Sequence, residues 1–234
     1  MPYLLSATVD NEVRDGYPFT LPAVAALASI EFDDMTVLVG DNGTGKSTII
    51  EGLAVAAGFN AEGGSRNLLF ETYSTHSDLA QHVTLRWTKQ PRWGWFLRAE
   101  TFYGMASHIH NDDGFGVKAM FPDLHNRSHG ESFLTLIESR MSNDGLYFLD
   151  EPESALSFHG QLRLLAIMHN AASSGAQFIV ATHSPVLMAY PHATIYQLNS
   201  DGATIIPYDD IESVKLWRNF LDAPHRFFQH LFDA

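Results

Sequence analysis

The residues with the clearest chemical role stand at positions 40–48, where the sequence reads GDNGTGKST. Their types and spacing fit the phosphate-binding loop G-x-x-x-x-G-K-S/T, which requires a buried strand before it and a helix after it. The apolar run Met35–Val39 precedes the loop, and an apolar pattern of helical period follows over residues 49–57. Glycine lets backbone N–H groups approach phosphate closely at the positive end of the helix. The motif therefore predicts a binding site for the phosphates of a nucleoside triphosphate.

The side chains of this loop divide the chemistry between them. Lys46 supplies a mobile cation to the β- and γ-phosphates, and the Ser47 hydroxyl is placed to coordinate Mg²⁺. The alternative is a glycine-rich turn with an exposed lysine, but such a turn does not require four fixed positions and two flanking elements together. The residues expected to surround the nucleotide are Asn42, Gly43, Thr44, Gly45, Lys46, Ser47 and Thr48.

Two carboxylates follow a second apolar run, Gly145–Leu149, which has the composition of a parallel strand buried on both faces. Open parallel sheets bind their ligands at the carboxyl ends of such strands. We expect Asp150 to act on Mg²⁺, directly or through water, and Glu151 to be the general base that polarises the attacking water. An acidic strand-to-helix turn, with Pro152 at the helix start, is the alternative.

A histidine follows a third apolar run, Gln177–Ala181. This run also predicts a buried strand, so His183 is expected at the same edge as the phosphate loop, where it would sense the γ-phosphate. With Lys46 and Glu151 it completes the predicted catalytic set. A hydrogen-bonded loop histidine is the alternative.

The segment 128–132 reads SHGES and precedes a helical pattern over residues 133–141. Ser128 and Glu131 have the spacing of a capping box, so a plain helix start is one interpretation. A hydroxyl and free N–H groups at a helix start are also what an anionic γ-phosphate would need. The two interpretations are compatible.

Three aromatic residues near the N-terminus, Tyr3, Tyr17 and Phe19, are candidates for stacking on a nucleotide base. Packing in the core or a loop is the alternative for each, and it is the role that most aromatic side chains have.

The order of these elements predicts an α/β fold with a mainly parallel core sheet flanked by helices. Further strands are predicted over 3–9, 82–87 and 93–100. A final hairpin of 194–198 with 203–208 contributes an antiparallel portion.

The remaining segments complete the expected organisation. The glycine-rich stretch 58–67 is expected as a loop on the nucleotide side of the sheet, and 211–232 as one or two amphipathic helices. Residues 101–126 have no clean period, which suggests a small irregular or helical lobe. We predict a single domain over 1–234, with its core at 1–100 and 143–234 and the lobe inserted at about 101–142.

Composition narrows the class of protein. The chain has 234 residues, 45% of them hydrophobic, which is enough to bury a large core. There is no cysteine, which excludes disulfides and thiolate metal sites. A formal charge of −13 opposes unaided binding to nucleic acid or anionic lipid. We find no signal-peptide pattern and no run of about 18 apolar residues, so we expect a cytoplasmic protein without a membrane span.

Taken in order, the motifs resemble those of ATP-binding-cassette (ABC) ATPases. The matching segments are GDNGTGKS, SHGES, LYFLDEPE, the following SALS, and ATHSP. More narrowly, the chain resembles stand-alone bacterial AAA-family ATPases close to the RecF, structural-maintenance-of-chromosomes and overcoming-lysogenization-defect groups. The segments GFNAEGGSRN, FLRAETFY and AYPHATIYQL extend the resemblance over nearly the whole chain. The resemblance implies a P-loop NTPase of the ABC type that hydrolyses ATP with Mg²⁺.

The resemblance also implies an ATP-dependent homodimer. In such ATPases two protomers face each other head to tail around two ATP molecules. The signature segment of each protomer, here SHGES, completes the nucleotide site of the other. His183 would match the switch histidine, and Ser154–Ser157 the loop that signals across the interface. Hydrolysis through Glu151 would separate the pair and drive conformational change in an unknown protein or nucleic-acid partner. The residues acting in trans would be Ser128, Gly130 and Glu131.

The chain departs from the family pattern in two places. Relatives carry a glutamine after the strand that leads into the helical lobe, whereas this chain has Arg98-Ala99-Glu100-Thr101 there. We assign the corresponding metal- and water-sensing role to Glu100. The segment between the phosphate loop and the signature is too short and irregular for a long coiled-coil arm.

Three other functions compete with the leading hypothesis of a Mg²⁺-dependent ATPase that dimerises on ATP. The first is a DNA-repair or anti-phage ATPase acting on nucleic acid, which the family neighbours favour and the negative charge opposes. The second is the nucleotide-binding subunit of a transporter. The third is a nucleotide-gated adaptor with negligible hydrolysis.

Overall fold

The computed structural model describes residues 1–10, 16–65, 78–100, 129–141 and 144–232, and every structural statement below concerns these ranges. In chain order the strands are β1 Leu4–Val9, β2 Met35–Val39, β3 Val83–Trp87, β4 Trp93–Arg98, β5 Gly145–Asp150, β6 Gln177–Ala181, β7 Thr194–Asn199 and β8 Gly202–Ile205. The α-helices are α1 Pro22–Ala25, α2 Lys46–Ala56, α3 His129–Arg140, α4 Phe158–Ser173, α5 Pro185–Met188, α6 Glu212–Asp222 and α7 Pro224–Phe232.

Six strands form the main sheet, in the order β4-β5-β6-β2-β7-β8. The first five run parallel, and β8 pairs antiparallel with β7 as the predicted hairpin. Because β5, β6 and β2 are adjacent and parallel, their carboxyl ends meet at one edge of the sheet. Asp150 of β5 and Leu38 of β2 are both paired with Ala181 of β6, so the three strands end at the same level.

Every residue of β2, β5 and β6 is buried, because helices cover both faces of the sheet. The side chains alternate between two cores. In β5, Leu146 and Phe148 pack with α2 on one face, while Tyr147 and Leu149 pack with α3 and α4 on the other. The continuous apolar runs in the sequence are therefore the signature of a sheet buried on both sides.

A separate two-stranded sheet forms from β1 and β3, which pair antiparallel. Gln177, fully buried at the start of β6, joins this small sheet to the main one. Its Oε1 accepts from the backbone N–H groups of Tyr3 and Leu4, both at 2.9 Å, and its Nε2 donates to Leu4 O at 2.8 Å and Asp33 O at 3.1 Å. The four bonds satisfy a buried amide that would otherwise be costly.

The predicted α/β fold, mainly parallel with an antiparallel portion, is confirmed. The prediction that 58–67 lies on the nucleotide side is wrong for the start of that segment. Phe59 packs against Gly94 at the beginning of β4, the sheet edge opposite the phosphate loop, because α2 has carried the chain across the sheet. From there the chain returns beside β4, with Gly64 pairing to Phe96.

The predicted lobe of about 101–142 lies mostly outside the described residues, so the division into core and inserted lobe stays a prediction. The predicted amphipathic helices at the C-terminus are α6 and α7. They leave apolar side chains exposed, among them Trp217, Leu221 and Phe232. No helix within the described ranges combines the length and apolarity needed to cross a membrane. The cytoplasmic location stays a prediction.

Candidate active site

The phosphate loop joins β2 to α2, as predicted, and two of its glycines show why glycine is required. Gly45 precedes the first turn of α2 with φ of 98°, a conformation that L side chains rarely adopt. A Cβ on Gly40 would lie 2.5 Å from Leu198 O and 2.9 Å from Thr44 Oγ1. The loop is thereby packed tightly against β7. The first N–H groups of a helix have no carbonyl partner within it, so those of α2 are suited to binding an anion.

Lys46 is folded back over the loop. Its Nζ donates to Gly40 O at 2.9 Å and to Asp41 O at 3.0 Å, and the residue is only 3% exposed. Burial lowers the pKa of Lys46, while the carboxylates of Glu151 and Asp150 counteract that effect. Phosphate oxygens are stronger acceptors than carbonyls, so this ammonium group is held where it can transfer its hydrogen bonds to a triphosphate.

Asp150, at the end of β5, lies in a network of four charged and polar side chains. Its Oδ1 accepts from Ser47 Oγ at 3.0 Å, and its Oδ2 lies 3.6 Å from Arg98 Nε. Arg98 NH1 in turn donates to Glu51 Oε2 of α2 at 2.8 Å. The end of β4, the end of β5 and the first turns of α2 are thus tied together by side chains that are all largely buried.

Burial raises the pKa of Asp150 to about 6, against the lowering effects of Arg98 and of the Ser47 hydrogen bond. A hydroxyl and a carboxylate side by side are the oxygen donors that Mg²⁺ prefers, and this ion is commonly held by one or two protein ligands together with phosphates. No group of three or more His, Cys, Asp or Glu side chains suited to a metal occurs in the described part of the chain. The donor set of Ser47 and Asp150 therefore fits a phosphate-bound Mg²⁺ and not an all-protein cage.

Glu151 and His183 form the open half of the same edge. His183 Nε2 lies 3.5 Å from Glu151 Oε1, and the two side chains are 37% and 42% exposed. Glu151 takes a left-handed conformation, with φ of 47° and ψ of 50°, which is unusual for a residue other than glycine. Its backbone N–H donates to Ala181 O at 2.9 Å, so the turn after β5 is fixed to the end of β6. Lys46, Asp150, Glu151 and His183 are thus brought together, as the sequence predicted.

Of the remaining loop residues, Asn42 and Gly43 are exposed, and Thr44 Oγ1 donates to Asp41 O at 2.9 Å. Thr48 Oγ1 shares a 2.9 Å hydrogen bond with the hydroxyl of Tyr17. Tyr17 is 70% exposed, whereas Tyr3 is buried and Phe19 packs on the core. Among the three aromatic candidates, Tyr17 is the one left open beside the phosphate loop.

The signature residues are only partly described. Ser128 lies outside the described residues. Gly130 and Glu131 lie in the first turn of α3, where Glu131 is exposed and a Cβ on Gly130 would come 3.2 Å from Ala155 O. The start of α3 therefore packs on the turn that follows Glu151, and the action of these residues in trans stays a prediction.

Glu100 is exposed two residues beyond β4, and its charge reaches Asp150 only as a minor contribution to the raised pKa. Arg98, which the sequence interpretation passed over, is the residue of this segment that reaches Asp150. The feature that could have identified Arg98 is its place as the last residue of β4, in register with Asp150 at the end of β5.

Glu153 was missed as well. Its carboxylate accepts from the backbone N–H groups of His183 and Ser184.

Comparison with known families adds an independent line of support. A family model described as "AAA domain, putative AbiEii toxin, Type IV TA system" matches residues 35–91 and 132–189. The two stretches contain the phosphate loop, the Asp150-Glu151 pair and His183. The match supports assignment of the chain to the P-loop ATPases of the ABC/AAA type. The resemblance inferred from the motifs is confirmed, and membership of this class supports ATP binding and hydrolysis.

Curated relatives include the macrolide export ATP-binding/permease protein MacB of Escherichia coli strain K12 and of Shigella sonnei. Each is 23% identical over an alignment of 216 residues, and the alignment covers 79% of this chain and 32% of the relative. The chain thus spans about a third of the length of these relatives.

Similar solved structures include the SMC head domain from Thermotoga maritima, with 19% identity, a TM-score of 0.41, and coverage of 76% of this chain and 92% of that one. An ATP-binding cassette of an ABC transporter in its ADP conformation has 13% identity, a TM-score of 0.47, and coverage of 81% and 90%. These likenesses are distant, so the family assignment rests on the sequence match.

Proposed function

We propose that this ATPase binds Mg²⁺-ATP at the edge formed by β2, β5 and β6, hydrolyses it, and dimerises head to tail on ATP to do conformational work on a partner. The observation that carries the proposal is the convergence of an ammonium group, two carboxylates and an imidazole from three adjacent strand ends. The Glu151–His183 distance of 3.5 Å brings a base and a γ-phosphate contact to one side of the loop.

Each residue has a task in this scheme. Lys46 and the N–H groups at the start of α2 bind the β- and γ-phosphates. Ser47 and Asp150 would hold Mg²⁺, and the ion would neutralise charge on the phosphate oxygens. Glu151 accepts the proton of the attacking water, and His183 contacts the γ-phosphate. Glu100 keeps its assigned sensing role, with Arg98 beside it at the metal carboxylate.

Support for the dimer comes from the open half of the site. Glu151 and His183 are each more than a third exposed, and water must be excluded for efficient phosphoryl transfer. A second copy, presenting Ser128, Gly130 and Glu131, would close this side. A head-to-tail dimer is also what the resemblance to ABC ATPases implies.

The substitution Glu151→Gln tests the proposal. It removes the base and keeps the shape, so we expect the turnover number to fall by about 100-fold or more while ATP still binds. The trapped ATP state should elute as a dimer in size-exclusion chromatography with light scattering. Glu212→Gln, at an exposed residue of α6, is the matched control and should behave as the parent does. Parental turnover in Glu151→Gln would remove Glu151 from the mechanism.

A second candidate function is the ATP-binding part of an export system, which the similarity to MacB favours. The Glu151→Gln protein would then co-purify with an integral membrane protein when ATP is present.

The rival nucleic-acid function predicts ATP-dependent DNA binding that weakens steeply with salt. The charge of −13 opposes that outcome, and strong binding at low salt would support it nonetheless.

A further inference from the structure

Glu153 lies in the turn after β5, two residues beyond Glu151, and grips the backbone of the next strand end. Its Oε1 accepts from His183 N at 2.6 Å and from Ser184 N at 3.1 Å. Hydrogen bonds from two N–H groups to one ionised carboxylate are stronger than bonds between neutral groups. Glu153 therefore holds the main chain from which the His183 imidazole projects, and Thr182 Oγ1 is a second acceptor for the Ser184 N–H at 2.9 Å.

A second contact holds the other side of this loop. Ser184 Oγ donates to Gln161 Oε1 of α4 at 2.5 Å and accepts from Val186 N at 3.1 Å, which caps α5. Gln161 Nε2 also donates to Leu156 O at 3.4 Å. Glu153 and Gln161, which lie on either side of the segment 154–157 in sequence, thus both bind residues 183–184.

The imidazole of His183 has fewer hydrogen bonds than its backbone. His183 Nε2 has no hydrogen bond among the described residues, and its 3.5 Å approach to Glu151 is longer than a good hydrogen bond. The position of the imidazole relative to Glu151 therefore depends on its backbone, and that backbone depends on Glu153. The other carboxylate oxygen, Glu153 Oε2, is buried without a partner in the described part of the chain, so the group has been desolvated to make this contact.

We propose that Glu153 is a positioning residue that sets the His183–Glu151 geometry and links the 154–157 loop to the histidine. The carboxylate lies on the same short turn as Ser154, whose N–H and hydroxyl both donate to Glu151 O, at 3.1 and 3.0 Å. Displacement of this loop by a second molecule would move Glu153 and with it His183. The proposal rests on the proposed function, in which His183 contacts the γ-phosphate.

The direct test measures the backbone and needs no turnover. Amide hydrogen exchange at His183 should become about 10-fold or more faster in Glu153→Ala, because this N–H loses its acceptor. The Ser184 N–H keeps Thr182 Oγ1 as an acceptor at 2.9 Å, so its exchange should change less. Glu153→Gln keeps an oxygen acceptor and should restore protection. Exchange at Phe178 N, which donates to Asp34 O, is the internal reference and should not change. Unchanged exchange at the His183 amide in Glu153→Ala would overturn the proposal.

The catalytic test asks whether Glu153 acts through His183. We expect Glu153→Ala to lower kcat about 10-fold with ATP affinity within about 2-fold of the parent, and Glu153→Gln to recover most of the rate. In a His183→Ala background, Glu153→Ala should cost less than about 2-fold more. An equal cost in both backgrounds would overturn the coupling. If the parent protein turned over no ATP, the proposed function would fail, while the exchange result would still decide the role of Glu153.

Discussion

Asp150 and Glu151 are both acidic and adjacent in sequence, yet the side chain of Asp150 is buried and that of Glu151 is partly exposed. Asp150 is buried at the end of β5, bonded to Ser47 at 3.0 Å and placed 3.6 Å from Arg98. Glu151 has a side chain that is 42% exposed, in a left-handed turn, and 3.5 Å from an equally open histidine. One carboxylate faces the protein and the other faces outward.

Under the proposed function, the buried carboxylate serves ATP binding and the partly exposed one serves hydrolysis. The buried half, with Lys46, Ser47 and Asp150, is organised by its own contacts, as a site for phosphate and its counterion must be. The open half is held through the backbone, by Glu153, and leaves room for groups from outside. The proposed dimer completes the half that this chain leaves open.

The largest expected effect breaks the buried half. In the proposed site Lys46 makes two charged hydrogen bonds to phosphate, each of about 1.5–3 kcal/mol, so Lys46→Ala should lower ATP affinity roughly 1,000-fold. Isothermal titration calorimetry with Mg²⁺-ATP measures this. His183→Ala, in the open half, is the contrasting variant and should keep affinity within about 3-fold while turnover falls. Equal losses of affinity in the two variants would abolish the distinction between the halves.

Much of the buried half could be predicted from the sequence, because it depends on rules that act locally. The continuous apolar runs of β2, β5 and β6 indicate parallel strands, and the carboxyl ends of parallel strands share an edge. Asp150 and His183 follow such strands directly, so their convergence with the phosphate loop needs no knowledge of side-chain packing.

Long-range pairing is what the sequence did not reveal. Arg98 reaches Asp150 only because β4 lies beside β5 in that register, and the chain between them is about 50 residues long. Glu153 is 30 residues from His183, and no local pattern marks a carboxylate that binds distant amides. The direction of the segment after α2 was misjudged for a local reason, because a helix that begins at the phosphate loop ends at the opposite edge of the sheet, where Phe59 packs.

A second prediction sharpens the contrast through pH. The pKa of Asp150 is raised from 3.8 to about 6, so the folded protein favours the protonated carboxyl, and ionisation at neutral pH costs stability. That cost is absent below about pH 3.8, grows between pH 3.8 and about 6, and is constant at higher pH. Asp150→Asn should therefore stabilise the protein at pH 7 by up to about 3 kcal/mol, and the gain should vanish near pH 4.

Urea unfolding at pH 4, 5, 6 and 7 measures this, on protein stripped of nucleotide and metal. The matched control is Asp144→Asn, whose side chain is 59% exposed and 4.0 Å from Lys89, and it should change stability by less than about 0.5 kcal/mol at each pH. A gain in Asp150→Asn that stays constant from pH 4 to 7 would show that burial does not set the ionisation of Asp150.

The smallest expected effect tests whether the exposed ring of Tyr17 binds the nucleotide base. Tyr17 is 70% exposed, and its hydroxyl is 2.9 Å from Thr48 Oγ1, which places an aromatic face at the rim of the phosphate loop. Stacking of such a ring is worth about 1 kcal/mol, so Tyr17→Ala should weaken ATP binding roughly 5-fold, whereas Tyr17→Phe should keep most of the affinity. Inorganic triphosphate has no base, so its affinity should be the same in Tyr17→Ala and the parent. If both ligands weakened equally, Tyr17 would act by holding Thr48 and the loop, and the base would be bound elsewhere on this edge.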